Sequence, residues 1–80
     1  MNINWRPLTE YPTDRWVKNE ALSNPKLVMY YDFSENDTRL MWDEYSYIDG
    51  GWVITGLLHK PIAWADISIE EFLRQVKSEI

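Results

Sequence analysis

Cysteine is absent from the 80 residues. That absence excludes disulfides, zinc–thiolate sites and cysteine nucleophiles together, and it fits a reducing compartment. Histidine is nearly absent as well: His59 stands alone, so one chain cannot build a two-histidine metal site. Glycine is scarce, with three residues. The pair Gly50-Gly51 runs into Trp52 and a strand-like segment, not into a helix N-terminus, so a phosphate-cradling loop is excluded. No stretch approaches the about 18–20 apolar residues of a membrane span. The first residues carry no basic region followed by an apolar run, and the expected location is therefore the cytoplasm.

Positive charge is also in short supply. Eight bases face thirteen acids, a net charge of −5. The excess is local. Residues 32–49 hold Asp32, Glu35, Asp37, Asp43, Glu44 and Asp49 against Arg39 alone, and the remainder of the chain balances seven acids with seven bases. A nucleic-acid binder needs a clustered basic face that releases phosphate counterions. Direct nucleic-acid binding is not expected, nor is binding to an anionic membrane.

What the chain has in quantity is aromatic surface: five Trp, five Tyr and two Phe. A domain this small needs an efficient core, and each aromatic side chain buries about 150–250 Å². The C-terminal segment carries a capping box, Ser68-Ile69-Glu70-Glu71, followed by one apolar stripe of Ile69, Phe72, Leu73, Val76 and Ile80. It reads as a helix over 68–80 that must dock its stripe on something. Lys26–Phe33 alternates in the manner of a strand, and Ser34-Glu35-Asn36-Asp37 is turn-forming. Thr38–Ile48 reads as a second strand, Asp49-Gly50-Gly51 as a tight turn, and Trp52–Leu58 as a third strand. Ile62–Asp66 reads as a short edge strand after the break His59-Lys60-Pro61. Residues 1–25 read as an irregular arm whose aromatics lie against the sheet, with a short helix over Asp14–Leu22 capped by Thr13.

The expected architecture is therefore one α+β domain over 1–80. Its arm covers 1–25, a three- or four-stranded antiparallel meander covers 26–66, and a helix over 68–80 packs on one face.

The chemical candidates are few. Asp32, Ser34, Asn36, Thr38 and Asp43 occupy the first, third, fifth, seventh and twelfth positions of a calcium-loop count. Asp37 stands where that loop needs glycine, and Asp43 where it needs a longer glutamate, so the segment reads as a solvated hairpin loop. Asp43 and Glu44 are adjacent and point to opposite sides of a strand, which rules out a carboxylate dyad. His59 has no recognisable serine motif with it and reads as polar loop surface. No metal, cofactor or catalytic residue is expected, and the protein is not expected to be an enzyme. The acidic–aromatic segment is the remaining candidate. A field of one sign steers a basic partner, and aromatic rings anchor it. Its expected contact residues are Asp32, Glu35, Asp37, Asp43, Glu44, Tyr45, Tyr47 and Asp49.

The order of motifs resembles a family of small phage and prophage domains. Its carriers are Trp5, Leu8 and Pro12, then Leu27-Val28-Met29-Tyr30, then Asp49-Gly50-Gly51-Trp52, and finally Ala63-Trp64-Ala65-Asp66-Ile67. The family's closing His-Trp-Met-Pro-Leu-Pro motif lacks its histidine and both prolines here, and a capped helix follows instead. The resemblance implies an accessory protein of a phage or mobile element in a bacterial cytoplasm. Joined to the charge pattern, it gives the expectation of a non-enzymatic protein that binds a basic surface on a host protein. The expected target is a defence or nucleic-acid-handling complex whose phosphate site the hairpin mimics. Alternatives are a nucleotide-binding module that stacks its ligand on aromatic rings at a homodimer interface, and a minor structural or assembly protein.

Overall fold

A computed structural model describes residues 2–54 and 56–78. The chain forms β1 (Trp5–Pro7), β2 (Lys26–Asp32), β3 (Asp37–Asp43), β4 (Tyr45–Ser46), β5 (Gly51–Trp52), β6 (His59–Ala65) and α1 (Ile69–Ser78). Four strands make one antiparallel sheet in the order β1-β6-β2-β3, and β4 and β5 form a separate two-stranded ribbon. The α+β class, the antiparallel four-stranded sheet and the C-terminal helix are those expected. The strand order is not that of a simple meander, because β6 returns from the far end of the chain to lie between β1 and β2.

The alternation in β2 sets the two faces. Val28, Tyr30 and Trp64 are fully buried on one face and join Trp52 in the main core, which Met41, Tyr45 and Ile54 close. Leu27 pairs across β3 with Trp42, and Trp42 meets Phe72 of α1 edge-on at 5.6 Å. Leu27 and Ala65 are the buried residues of that second face. No residue of α1 is itself buried, and Ile69 and Leu73 stay about half exposed. The Ser68 hydroxyl accepts the Glu71 amide at 3.1 Å, which is one half of the expected capping box. The Glu71 carboxylate accepts instead from Arg74 and Gln75. Residues 79 and 80, which the sequence pattern assigns to this helix, lie outside the described residues.

Several expectations are corrected. The strand expected over Thr38–Ile48 breaks at Glu44. Asp43 causes the break: its carboxylate accepts the amides of Glu44 (2.8 Å) and Ile54 (2.9 Å), which turns the chain off the sheet edge. The third strand expected over Trp52–Leu58 shrinks to Gly51–Trp52 in the ribbon, and Val53 and Ile54 form a turn. Thr55 lies outside the described residues. The short edge strand expected over Ile62–Asp66 is a seven-residue strand with a neighbour on each side. Pro61 lacks the N–H that such a position needs, and a bulge absorbs it: Met29 faces Ala63 and Tyr30 faces Pro61, so Ile62 is left over.

The arm contributes a strand, since Trp5–Pro7 pairs with Ala63–Ala65. The helix expected over Asp14–Leu22 is absent, and Val17, expected to face inward, is 93% exposed. Side chains compete there for the backbone groups a helix would use. The Asn19 side chain accepts the Ala21 amide, the Asp14 carboxylate accepts the Asn24 amide, and Arg15 donates to the Glu20 carbonyl.

Candidate functional site

The acidic segment 32–49 is not one hairpin. It is divided between the turn joining β2 to β3, the far end of β3, and the β4–β5 ribbon. Asp32, Glu35 and Asp37 sit at the turn, while Asp43, Glu44, Tyr45, Tyr47 and Asp49 follow the other end of β3. The six steps along β3 separate the two groups by about 20 Å.

Asp32 organises the turn and is not offered to solvent, being 3% exposed. Its carboxylate accepts from the Ser34 hydroxyl (2.6 Å), the Ser34 amide (2.9 Å) and the Glu35 amide (3.3 Å). Arg39 Nε stands at 3.1 Å and His59 Nε2 at 3.6 Å. The Ser34 hydroxyl bond, followed by the two amides and His59, holds the Asp32 carboxyl below its ordinary value against the opposing effect of desolvation. Asn36 takes a left-handed φ of 53°, which lets the turn close in four residues, and its side chain meets the Tyr31 hydroxyl. Serine, aspartate and histidine thus come together here, but the carboxylate lies between the other two. A nucleophilic triad needs the imidazole in that place, to take the hydroxyl proton. His59 is a half-buried strand residue edge-on to Tyr30, a correction to its reading as loop surface.

Around this turn lies an apolar group that the charge pattern alone did not single out. Phe33 (54% exposed) donates its amide to the Leu58 carbonyl at 2.9 Å and meets Tyr31 ring to ring at 4.9 Å. Leu58 is 54% exposed and Leu57, beside it, is 99% exposed. Glu35 and Asp37 are exposed next to them. Arg39 reaches Glu35 only at 3.8 Å while engaged with Asp32, so Glu35 and Asp37 give this tip an acidic edge on the β3 side, while Lys60, exposed and facing Tyr31, stands on the β6 side.

The second group has other work. Asp43 is 1% exposed and accepts from the Tyr30 hydroxyl at 2.5 Å in addition to its two amides. Glu44 is half-buried, and burial followed by the neighbouring Asp43 charge raises its carboxyl above the ordinary value. The Tyr47 hydroxyl shares its one proton between the carbonyls of Pro12 and Asp14, and Arg15 lies over its ring at 4.1 Å. Burial and Asp14 raise its phenol above the usual value. Asp49 is exposed and accepts from Ser46 at 3.2 Å. Asp32 and Asp43 therefore hold the fold together, and Glu35, Asp37 and Asp49 are the acids that face solvent.

Two cavities adjoin these elements. One, of about 400 Å³, lies beside the start of α1, where Lys26 Nζ is held between Asp66 (2.8 Å) and Asp14 (3.1 Å). Burial works against the charge of Asp14, but bonds from Asn24 and Lys26 outweigh it and lower that carboxyl. The other, of about 250 Å³, is lined by Leu8, Tyr45, Gly50, Gly51, Trp52 and Pro61. Among the described residues, no group of three or more carboxylate or imidazole side chains is placed to hold a metal ion. None of their helices is long and apolar enough to cross a membrane.

Comparison of the chain with models of protein families, with curated proteins and with solved structures finds no match.

Proposed function

We propose that the chain is a non-enzymatic binding protein that docks on another protein through the tip formed by Phe33, Leu57 and Leu58. The observation that carries the reading is the position of three large apolar side chains, each at least half exposed, beside Glu35, which is only weakly paired, and Asp37, which has no ion pair among the described residues. Grouped exposed apolar residues with a polar rim mark interaction surfaces more often than chance solvent exposure. The partner fitted to this tip has an apolar socket bordered by lysine or arginine. The acids steer it, and the apolar side chains supply contact area.

The whole surface supports the same reading. It measures 5625 Å², against about 5,100 Å² for a monomer of this mass, so an unusual share of the chain faces outward. Nucleotide binding has less support. The one cation among the described lining residues of the two cavities is Lys26, and two carboxylates already hold it.

The test compares capture of binding proteins by the wild-type chain and by two variants, Glu35→Gln with Asp37→Asn, and Phe33→Ser with Leu57→Ser. Each variant is expected to lose the same captured protein, and the wild-type capture is expected to weaken as salt rises, since screening acts within about 8–10 Å near physiological ionic strength. Capture that survives both variants refutes the tip as the contact.

A further inference from the structure

The two edges of the four-stranded sheet are protected unequally. β1 is three residues long and ends at Pro7, which has no N–H to offer. β3 is seven residues long, and from Leu40 to Trp42 it carries no proline, lysine or bulge, the usual guards of an edge. Its backbone phase follows from β2. The Phe33 amide donates to Leu58 on the β6 side, and backbone groups alternate sides along a strand, so Asp32, Tyr30, Val28 and Lys26 turn theirs to β3. These face Asp37, Arg39, Met41 and Asp43, and Thr38, Leu40 and Trp42 therefore aim their N–H and C=O groups away from the sheet. The two outward amides at the ends of this row are already met: Asp37 accepts that of Thr38 at 2.7 Å, and Asp43 accepts that of Glu44 at 2.8 Å. Those of Leu40 and Trp42 have no acceptor among the described residues.

The same stretch is apolar on the face that carries α1. Leu40 is 51% exposed and shares that face with Trp42, which meets Phe72. On one flank of the helix, Glu71 and Gln75 line a cavity with Asn2, Ile3 and Asn4 on the β1 side. Ile69 and Leu73 lie on the opposite flank, which is turned toward β3, and are 45% and 49% exposed. Unpaired backbone and half-exposed apolar side chains thus meet along one edge.

We propose that β3 is the interface of a symmetric dimer, paired antiparallel with β3 of a second copy about a two-fold axis at Met41. In that register Leu40 exchanges both backbone bonds with the partner's Trp42, and Trp42 does so with the partner's Leu40. The outward amides that lack acceptors are the ones this register satisfies. Charge selects it as well. A two-fold axis at Leu40 sets Asp37 against the partner's Asp43, and one at Arg39 sets like charges directly opposite, whereas the axis at Met41 sets the half-exposed Arg39 against the partner's Asp43. Leu40 then packs beside the partner's Trp42, below the helix flank that is short of contacts. An unrelated strand would satisfy the backbone equally, but the side chains of β3 are complementary to themselves. A small domain without disulfides commonly gains stability by association, and the surface this chain leaves open is in keeping with that. This interface does not use the tip.

The test is sedimentation equilibrium of the full chain up to about 1 mM, joined to cysteine cross-linking against a background free of cysteine. A reversible monomer–dimer equilibrium is expected. Leu40→Lys, at an exposed position, is expected to weaken it at least about tenfold, and Val17→Lys to leave it unchanged. Met41→Cys is expected to give a disulfide-linked dimer on mild oxidation, because facing residues of a non-hydrogen-bonded pair stand about 4.5 Å apart at Cα. Leu40→Cys is expected to cross-link far more slowly, since it faces the partner's Trp42. Phe33→Ser with Leu57→Ser is expected to leave the dimer intact, so this proposal and the tip fail separately. Wild-type sedimentation as a monomer throughout overturns the proposal without any variant. So does a dimer that Leu40→Lys does not weaken, one that the tip variant abolishes, or cross-linking of Leu40→Cys as fast as that of Met41→Cys.

Discussion

Asp43 is the residue on which most of the chain path after the sheet depends. One buried carboxylate receives the Tyr30 hydroxyl and the amides of Glu44 and Ile54, and so ties β2, the end of β3 and the turn after β5 together. Asp43→Ala leaves those three donors without their acceptor, and a loss of about 3 kcal/mol is expected in urea unfolding. Asp32 and Glu44 titrate in opposite senses. The Asp32 carboxyl is lowered in the folded chain, so its contribution is complete above the ordinary aspartate range and is lost as pH falls through the lowered value. Asp32→Asn is expected to unfold at a lower temperature than wild type at neutral pH, with the gap narrowing in acid. Glu44 is raised, so ionising it costs stability as pH climbs from the ordinary glutamate value through the raised one. Glu44→Gln is expected to raise the neutral-pH unfolding temperature, and the gain is expected to vanish at acid pH. Thermal unfolding of the two variants across pH checks both signs.

At the scale of elements, α1 is held by its own local signals more than by packing. None of its side chains is buried, and its contact with the sheet runs through Phe72 against Trp42. Ser68→Ala removes the hydroxyl that caps the Glu71 amide, with an expected cost of about 1 kcal/mol, read as lost helical circular dichroism ahead of the main transition. The same locality explains why the helix was legible in the sequence: cap, stripe and end charges lie within one short window. The β2–β3 hairpin was legible for the same reason, since its turn and alternation are contiguous. β6 was not, because its pairing of Met29 with Ala63 and Tyr30 with Pro61 spans more than thirty residues, and Pro61 reads locally as a terminator. β1 is three residues long, and its partner, Ala63–Ala65, lies nearly sixty residues away. Of the site, the acids at the turn were legible from charge density. Their apolar neighbours Leu57 and Leu58 were not, because a backbone bond to Phe33 brings them there from a remote segment.

The whole molecule is flat, 39 × 34 × 21 Å, with a radius of gyration of 13.0 Å against about 11.6 Å for a chain of this length packed to usual density. Its excess of negative charge does not form one field. Two of the six acids of residues 32–49 are buried and bonded, so the outward negativity lies at Glu35 and Asp37 on the tip and at Asp49 on the ribbon. That arrangement favours two small contact surfaces over a single broad acidic face. The most direct measurement of the tip's role is photo-crosslinking from a reactive residue placed at position 57, with the same residue placed at Val17 as control. Both positions are almost wholly exposed, but Val17 has neither the Phe33–Leu58 group nor the acids of the turn beside it. The expected result is one discrete protein adduct from position 57, weakened by salt, and none from position 17. Equal labelling from both positions, or no adduct from position 57 while the chain remains folded, would contradict it.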